Sequence, residues 1–124
     1  MKKLNYVIVM VSDMKRSVEF YREILGLPLK FESPHWSEFA NDGSTIALHP
    51  GGPPQAGAAP GGKQPSGSCG LGFQVEDLEA FNQQMEAKGV RCLQPPKKED
   101  FGGRLAVYAD PDGLSISVAE SQKN

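Results

Sequence analysis

The sequence predicts an α+β protein of two tandem β-α-β-β-β units with a cleft between them, and two internal repeats carry that prediction. Val11-Ser12-Asp13-Met14 opens a helical run in the first half, and Val75-Glu76-Asp77-Leu78 opens one 64 residues later. Asp42-Gly43 before Ser44-Thr45-Ile46-Ala47-Leu48 recurs 70 residues on, as Asp112-Gly113 before Leu114-Ser115-Ile116-Ser117-Val118. Self-similarity at a fixed spacing marks a duplicated supersecondary unit. The order of strand-like and helix-like periods is also the same in both halves.

Each element follows from local chemistry. Leu4 to Val11 is dense in Val, Ile and Tyr without a breaker, so it reads as a strand. Ser12 or Asp13 can cap a helix in which Met14, Val18, Tyr21 and Leu25 share one face, and Gly26 stops it. Leu29–Glu32, Trp36–Ala40 and Ser44–His49 read as three short strands, the last two joined by the Asn41-Asp42-Gly43 turn. The second unit repeats this. Cys69–Val75 is a strand, and Asp77 caps a helix that buries Leu78, Phe81 and Met85 and ends at Gly89. Val90–Leu93, Arg104–Ala109 and Ser115–Glu120 are strands, the last two joined by Asp110-Pro111-Asp112-Gly113, where proline presets φ and glycine accepts a positive one. Pro50–Ser68 holds six glycines and five prolines, so no regular element fits it; it reads as a linker, with a lid over the cleft as the alternative. Pro95–Gly103 reads as a charged, solvated loop.

Bulk composition narrows the function classes. The 124 residues fit one domain, 1–124, with unit one at 4–49, the linker at 50–68 and unit two at 69–120. Units of about 55 residues are marginal alone and are expected to share a core. A net charge of -2 gives no electrostatic case for nucleic acid or an acidic membrane surface, so neither is expected as a partner. No apolar run reaches membrane-span length, and the N-terminus lacks a cleavage pattern. Cys69 and Cys92 stand apart with no CxxC, which argues against a disulfide framework or zinc cluster and for reduced thiols in a cytoplasmic protein.

The duplicated unit, the Pro/Gly linker, Ser-Val-Glu-Phe-Tyr-Arg-Glu-Ile-Leu-Gly at 17–26 and Asp-Pro-Asp-Gly at 110–113 together resemble the vicinal oxygen chelate superfamily. That group includes glyoxalase I, extradiol dioxygenases and the fosfomycin- and bleomycin-resistance proteins. The resemblance covers about residues 4–120 and implies a curved mixed sheet around the cleft. It also implies a homodimer, since members of this length commonly pair, sometimes by exchanging units. In the superfamily's enzymes each unit supplies two metal ligands, usually His, Glu or Gln, from its first and last strands. The ion then acts as a Lewis acid on two adjacent substrate oxygens. Carried onto this sequence, the ligand positions are Tyr6, Ala47, Gly70 and Ser117. Two have no donor side chain and two are poor donors for a divalent ion. The resemblance is therefore to a metal-free, non-catalytic branch that needs no cofactor and binds a small organic ligand.

Strand alternation extends these four positions into a cleft wall. Ile8 and Met10 join Tyr6, Thr45 and His49 join Ala47, and Gly72 and Gln74 join Gly70. Val7, Val9, Ile46, Leu48, Leu71, Phe73, Ile116 and Val118 take the opposite, helix-covered side. In the middle strands Phe39, Leu105 and Val107 are the apolar parity and are assigned to the core, leaving Trp36, Glu38, Arg104 and Tyr108 to the cleft. The candidate ligand-binding residues are thus Tyr6, Trp36, Glu38, His49, Arg104 and Tyr108: aromatic walls with a few polar groups, suited to a planar or amphipathic molecule. Each has a plainer reading, among them a Glu38–Arg104 pair across the cleft, a solvated strand-end His49 and a surface Arg104. Three functions remain open. One is a metal-free binding protein. Another is an enzyme, either a metal-dependent lyase, isomerase or dioxygenase with a site displaced to Glu38 and His49, or an acid–base catalyst using one of them. The third is a regulatory module with a vestigial cleft. Enzymatic activity is left uncertain, with binding favoured over catalysis.

Overall fold

The computed structural model of the chain describes residues 6–41, 43–52, 69–99 and 103–120. The start of the first expected strand, Asp42, and the 53–68 part of the linker lie outside the described residues. The chain divides into two compact units, Met1–Gln55 and Ala56–Asn124. Each is a β-α-β-β-β unit, so the α+β tandem architecture expected from the repeats is the one observed.

Unit 1 contains β1 (Val7–Val11), α1 (Met14–Glu19), β2 (Leu29–Phe31), β3 (Ser37–Asn41) and β4 (Ser44–Pro50), with sheet order β1-β4-β3-β2. β1 runs parallel to β4, and the remaining pairs are antiparallel. The Asp13 carboxylate accepts the Arg16 backbone N–H at 3.1 Å, so Asp13 rather than Ser12 is the helix cap. α1 passes at Phe20–Ile24 into a π-helical turn, in which Leu25 N–H donates to Phe20 C=O. Gly26, at φ 75°, ends it in a conformation that favours glycine. The widened turn brings Phe20 and Tyr21 both into the core, beside Ser17 and Val18. Those side chains cover the sheet face formed by Val9, Val11, Phe39, Ile46 and Leu48. Burying a side chain such as Phe39 or Leu48, both fully enclosed, contributes about 1.5–3 kcal/mol.

Unit 2 contains β5 (Leu71–Val75), α2 (Leu78–Ala87), β6 (Cys92–Lys98), β7 (Arg104–Ala109) and β8 (Ser115–Glu120), ordered β5-β8-β7-β6. Asp77 caps α2 by accepting from Ala80 N–H at 3.0 Å, and Gly89 follows its end at φ 70°. Leu78 and Met85 are buried as expected, Phe81 is half-buried, and Asn82 joins the buried face.

Two expectations are corrected. The first is the loop at Pro95–Gly103, because β6 continues through Pro95 and Pro96 to Lys98. β6 is the sheet edge, where proline's missing N–H leaves no ladder bond unmade. Two register shifts in its pairing with β7 absorb the irregular backbone. The second concerns which way β7 faces. Phe39 pairs with Ile46 in unit 1, while Tyr108 pairs with Ile116 in unit 2. The last strands correspond at an offset of 70, but the middle strands correspond at 69. The turn at 110–114 takes up the extra residue, and a one-residue slip reverses every side chain of a strand. Ala106 and Tyr108 therefore face the helix with Ile116 and Val118, while Leu105 and Val107 take the other side with Ser117.

Candidate functional site

The sheet face of unit 1 turned away from α1 is the candidate site. Tyr6, Ile8 and Met10 alternate along the first strand and are 44%, 46% and 56% exposed. Ile8 is in register with Ala47, and Met10 with His49. Glu38 lies opposite Ala47 across the antiparallel pair, which puts β3 on the same face. Tyr6, Trp36, Glu38 and His49 are thus brought together, as strand alternation predicts.

These residues hold one another. Trp36 Nε1–H donates to Glu38 Oε2 at 2.9 Å, a charge-assisted bond that fixes the indole about its own axis. Edge-on contacts from Tyr6, with ring centroids 5.6 Å apart, and from His49, at 6.1 Å, flank the indole. Ser33 orders the approach to Trp36: its hydroxyl donates to Trp36 C=O at 2.8 Å and accepts Trp36 N–H at 3.0 Å. His49 Nδ1 lies 2.8 Å from the Pro50 carbonyl. A carbonyl can only accept, so Nδ1 carries the proton in this contact.

Sequence reasoning missed Lys30. Its ammonium lies 3.8 Å from Glu38 Oε1 and 3.4 Å from Thr45 Oγ1. Leu29 pairs with Phe39 and Phe31 with Glu38, so Lys30 is the extra residue of a β-bulge. Leu29 faces the core with Phe39, so alternation turns the Lys30 head over the open face, and the bulge keeps Phe31 in register with Glu38 on that face too. Nothing in the residue pattern marks where a three-residue edge strand will bulge.

Tyr108 and Arg104 do not take the places expected of them. Tyr108 is 2% exposed, and its hydroxyl donates to Asn82 Oδ1 of α2 at 2.7 Å. Its ring meets Phe81 edge-on at 5.7 Å. Burial, then the nearby Cys92, Glu86 and Glu79, push the phenol up to about 12. Arg104 pairs with Glu79 of α2 at 3.0 Å, while Glu38 pairs with Lys30, so each has its ion partner within its own unit. Both departures follow from the reversed β7. Cys69 and Cys92 are free thiols. Burial raises the Cys92 thiol above its ordinary value.

The four positions that the superfamily's enzymes use for metal do not fit a divalent ion. Ala47 offers no donor. At Gly70 a Cβ would collide with Ser115 Oγ and stand 2.8 Å from the Ser115 carbonyl oxygen, so a longer side chain has no room there. Among the described residues no group of three His, Cys, Asp or Glu could hold a metal ion. Among them, too, no helix is long and apolar enough to cross a membrane.

Both units thus share the β-α-β-β-β topology, and the open face of unit 1 carries aromatic and carboxylate groups. The model of the Glyoxalase/Bleomycin resistance protein/Dioxygenase superfamily matches residues 3–118, and the chain belongs to that superfamily. It is 30% identical to the uncharacterized protein YraH of Bacillus subtilis (strain 168), over 94% of this chain and 96% of that one. It is 29% identical to the phenazine antibiotic resistance protein EhpR of Enterobacter agglomerans, over 92% and 88%. Among solved structures, SMU.1112c matches with a TM-score of 0.82 and 27% identity, over 97% of this chain and 99% of that one.

Proposed function

We propose that the protein binds a planar organic molecule on the open face of unit 1, without a metal, and acts by sequestering it. The observation that carries this reading is the braced indole. Trp36 is tied by Glu38 at 2.9 Å and flanked by Tyr6 and His49, beside the exposed Ile8 and Met10. A rigid aromatic platform loses little entropy when a flat ligand stacks on it, and exposed apolar neighbours gain by being covered. The donor-poor set at Tyr6, Ala47, Gly70 and Ser117 supports a metal-free mode. Similarity to EhpR, a phenazine antibiotic resistance protein, supports a flat, fused-ring ligand.

Catalysis at Glu38 or His49 has less support. Glu38 is engaged through both oxygens, and His49 Nδ1 through a carbonyl. As a base, Glu38 would lose the charge that Lys30 pairs with.

A thermal-shift screen with planar aromatic compounds, phenazine among them, tests the reading. Stabilisation is expected for flat fused rings, and Trp36→Ala should abolish it. A shift that survives Trp36→Ala removes the indole from the site.

A further inference from the structure

We propose that Lys30 is a specificity-determining residue that selects planar ligands carrying an anionic group, such as an aromatic carboxylate. The proposal rests on the reading of the open face as a binding surface and names the chemistry that this surface prefers. Three observations carry it. Lys30 follows Leu29, which is in register with the core residue Phe39, so strand alternation turns its side chain to this face. Its ammonium reaches the same carboxylate that tethers Trp36, which places a cation beside the aromatic platform. Its contacts are long: 3.8 Å to Glu38 Oε1 and 3.4 Å to Thr45 Oγ1. An ammonium has three N–H groups, and contacts of this length leave it donor capacity for a ligand.

The neighbouring acid does not offer the opposite preference on equal terms. Glu38 Oε2 is occupied by the short bond from the indole, and Oε1 faces Lys30. A cationic ligand at Oε1 would sit beside the like charge of the Lys30 ammonium. An anionic ligand can join Lys30 while Glu38 keeps Trp36 in place. The Lys30 side chain is about half exposed (49%), so an incoming carboxylate meets it without prior rearrangement.

The test uses one ring system in three charge states: 9-anthracenecarboxylate, 9-anthracenemethanol and 9-(methylaminomethyl)anthracene. Each is titrated against the full chain while the fluorescence of Trp36, the sole tryptophan, is followed. The carboxylate is expected to bind about tenfold more tightly than the alcohol, the scale of one charge-assisted hydrogen bond. Lys30→Met should bring the two to within about twofold by lowering carboxylate affinity alone, and Lys30→Arg should keep the preference. Equal binding of carboxylate and alcohol by the wild type overturns the proposal, as does a preference that survives Lys30→Met. Tightest binding of the ammonium overturns it in favour of Glu38 as the anchor. If none of the three quenches Trp36 while the protein is folded, the aromatic-face reading itself is overturned, and the anchor with it.

Discussion

Replacing Tyr108 with phenylalanine separates a core role from a ligand role at a residue that sequence patterning places on the wrong side of its strand. The substitution removes one oxygen and little volume. It deletes the 2.7 Å hydrogen bond to Asn82 Oδ1 and leaves that carbonyl oxygen buried without its donor. The Asn82 amide keeps its bond to Glu86 at 3.2 Å, so the cost is confined to one acceptor. Loss of a partner to a buried polar group costs about 1–3 kcal/mol. For a chain of this size each kcal/mol moves Tm by roughly 3–6 °C. Thermal unfolding followed by circular dichroism should therefore show a fall of at least about 3 °C, and affinity for flat aromatic ligands should change less than about twofold. The pH profile adds a second readout. Burial, with Cys92, Glu86 and Glu79, raises the folded phenol to about 12, whereas the unfolded one ionises near about 10. Stability tied to the neutral phenol is complete below about pH 10 and is lost as pH rises toward about 12. Over that window the wild type should lose Tm more steeply than Tyr108→Phe. A variant of unchanged stability that has lost ligand affinity would refute this placement and return Tyr108 to the open face.

Further outcomes are expected elsewhere. Gly70→Ala forces a Cβ against the Ser115 side chain and carbonyl and should cost about 1–3 kcal/mol in chemical denaturation. Gly72→Ala meets nothing within 4 Å and should be close to neutral. Asp13→Ala and Asp77→Ala each remove a helix cap, and each should lower stability by about 1 kcal/mol in the same assay. Glu38→Gln keeps an acceptor for Trp36 Nε1 and should preserve the steady-state fluorescence anisotropy of the indole, whereas Glu38→Ala should lower it.

The repeats made most of the fold legible. Helix caps at Asp13 and Asp77, helix stops at Gly26 and Gly89, and the strands at 104–109 and 115–120 follow from short-range chemistry that the tertiary structure preserves. In unit 1 the alternation carried through to the site, because β3 and β4 pair in the register that the residues suggest, Glu38 opposite Ala47 and Asn41 opposite Ser44. In unit 2 the longer turn shifted β7 by one residue, and the apolar character of Leu105 and Val107 pointed to the wrong face. An amphipathic test cannot decide a strand whose two faces are both apolar; Tyr108 and Ala106 are as buriable as their neighbours. Lys30 was hidden for a related reason. A bulge is set by pairing, and pairing is a property of two strands. The π-helical turn at Phe20–Ile24 is likewise invisible to a helical period, yet it is what places Phe20 and Tyr21 in the core together.

Metal-free binding of a flat organic ligand at Trp36 is tested most directly by an equilibrium titration on chelator-stripped protein. Metal content is measured by elemental mass spectrometry before and after stripping, and phenazine is then titrated against the Trp36 emission. The result expected is saturable quenching with the same Kd before and after stripping. A stoichiometric divalent metal in the purified protein, with binding that disappears on chelation and returns with the metal, would contradict it.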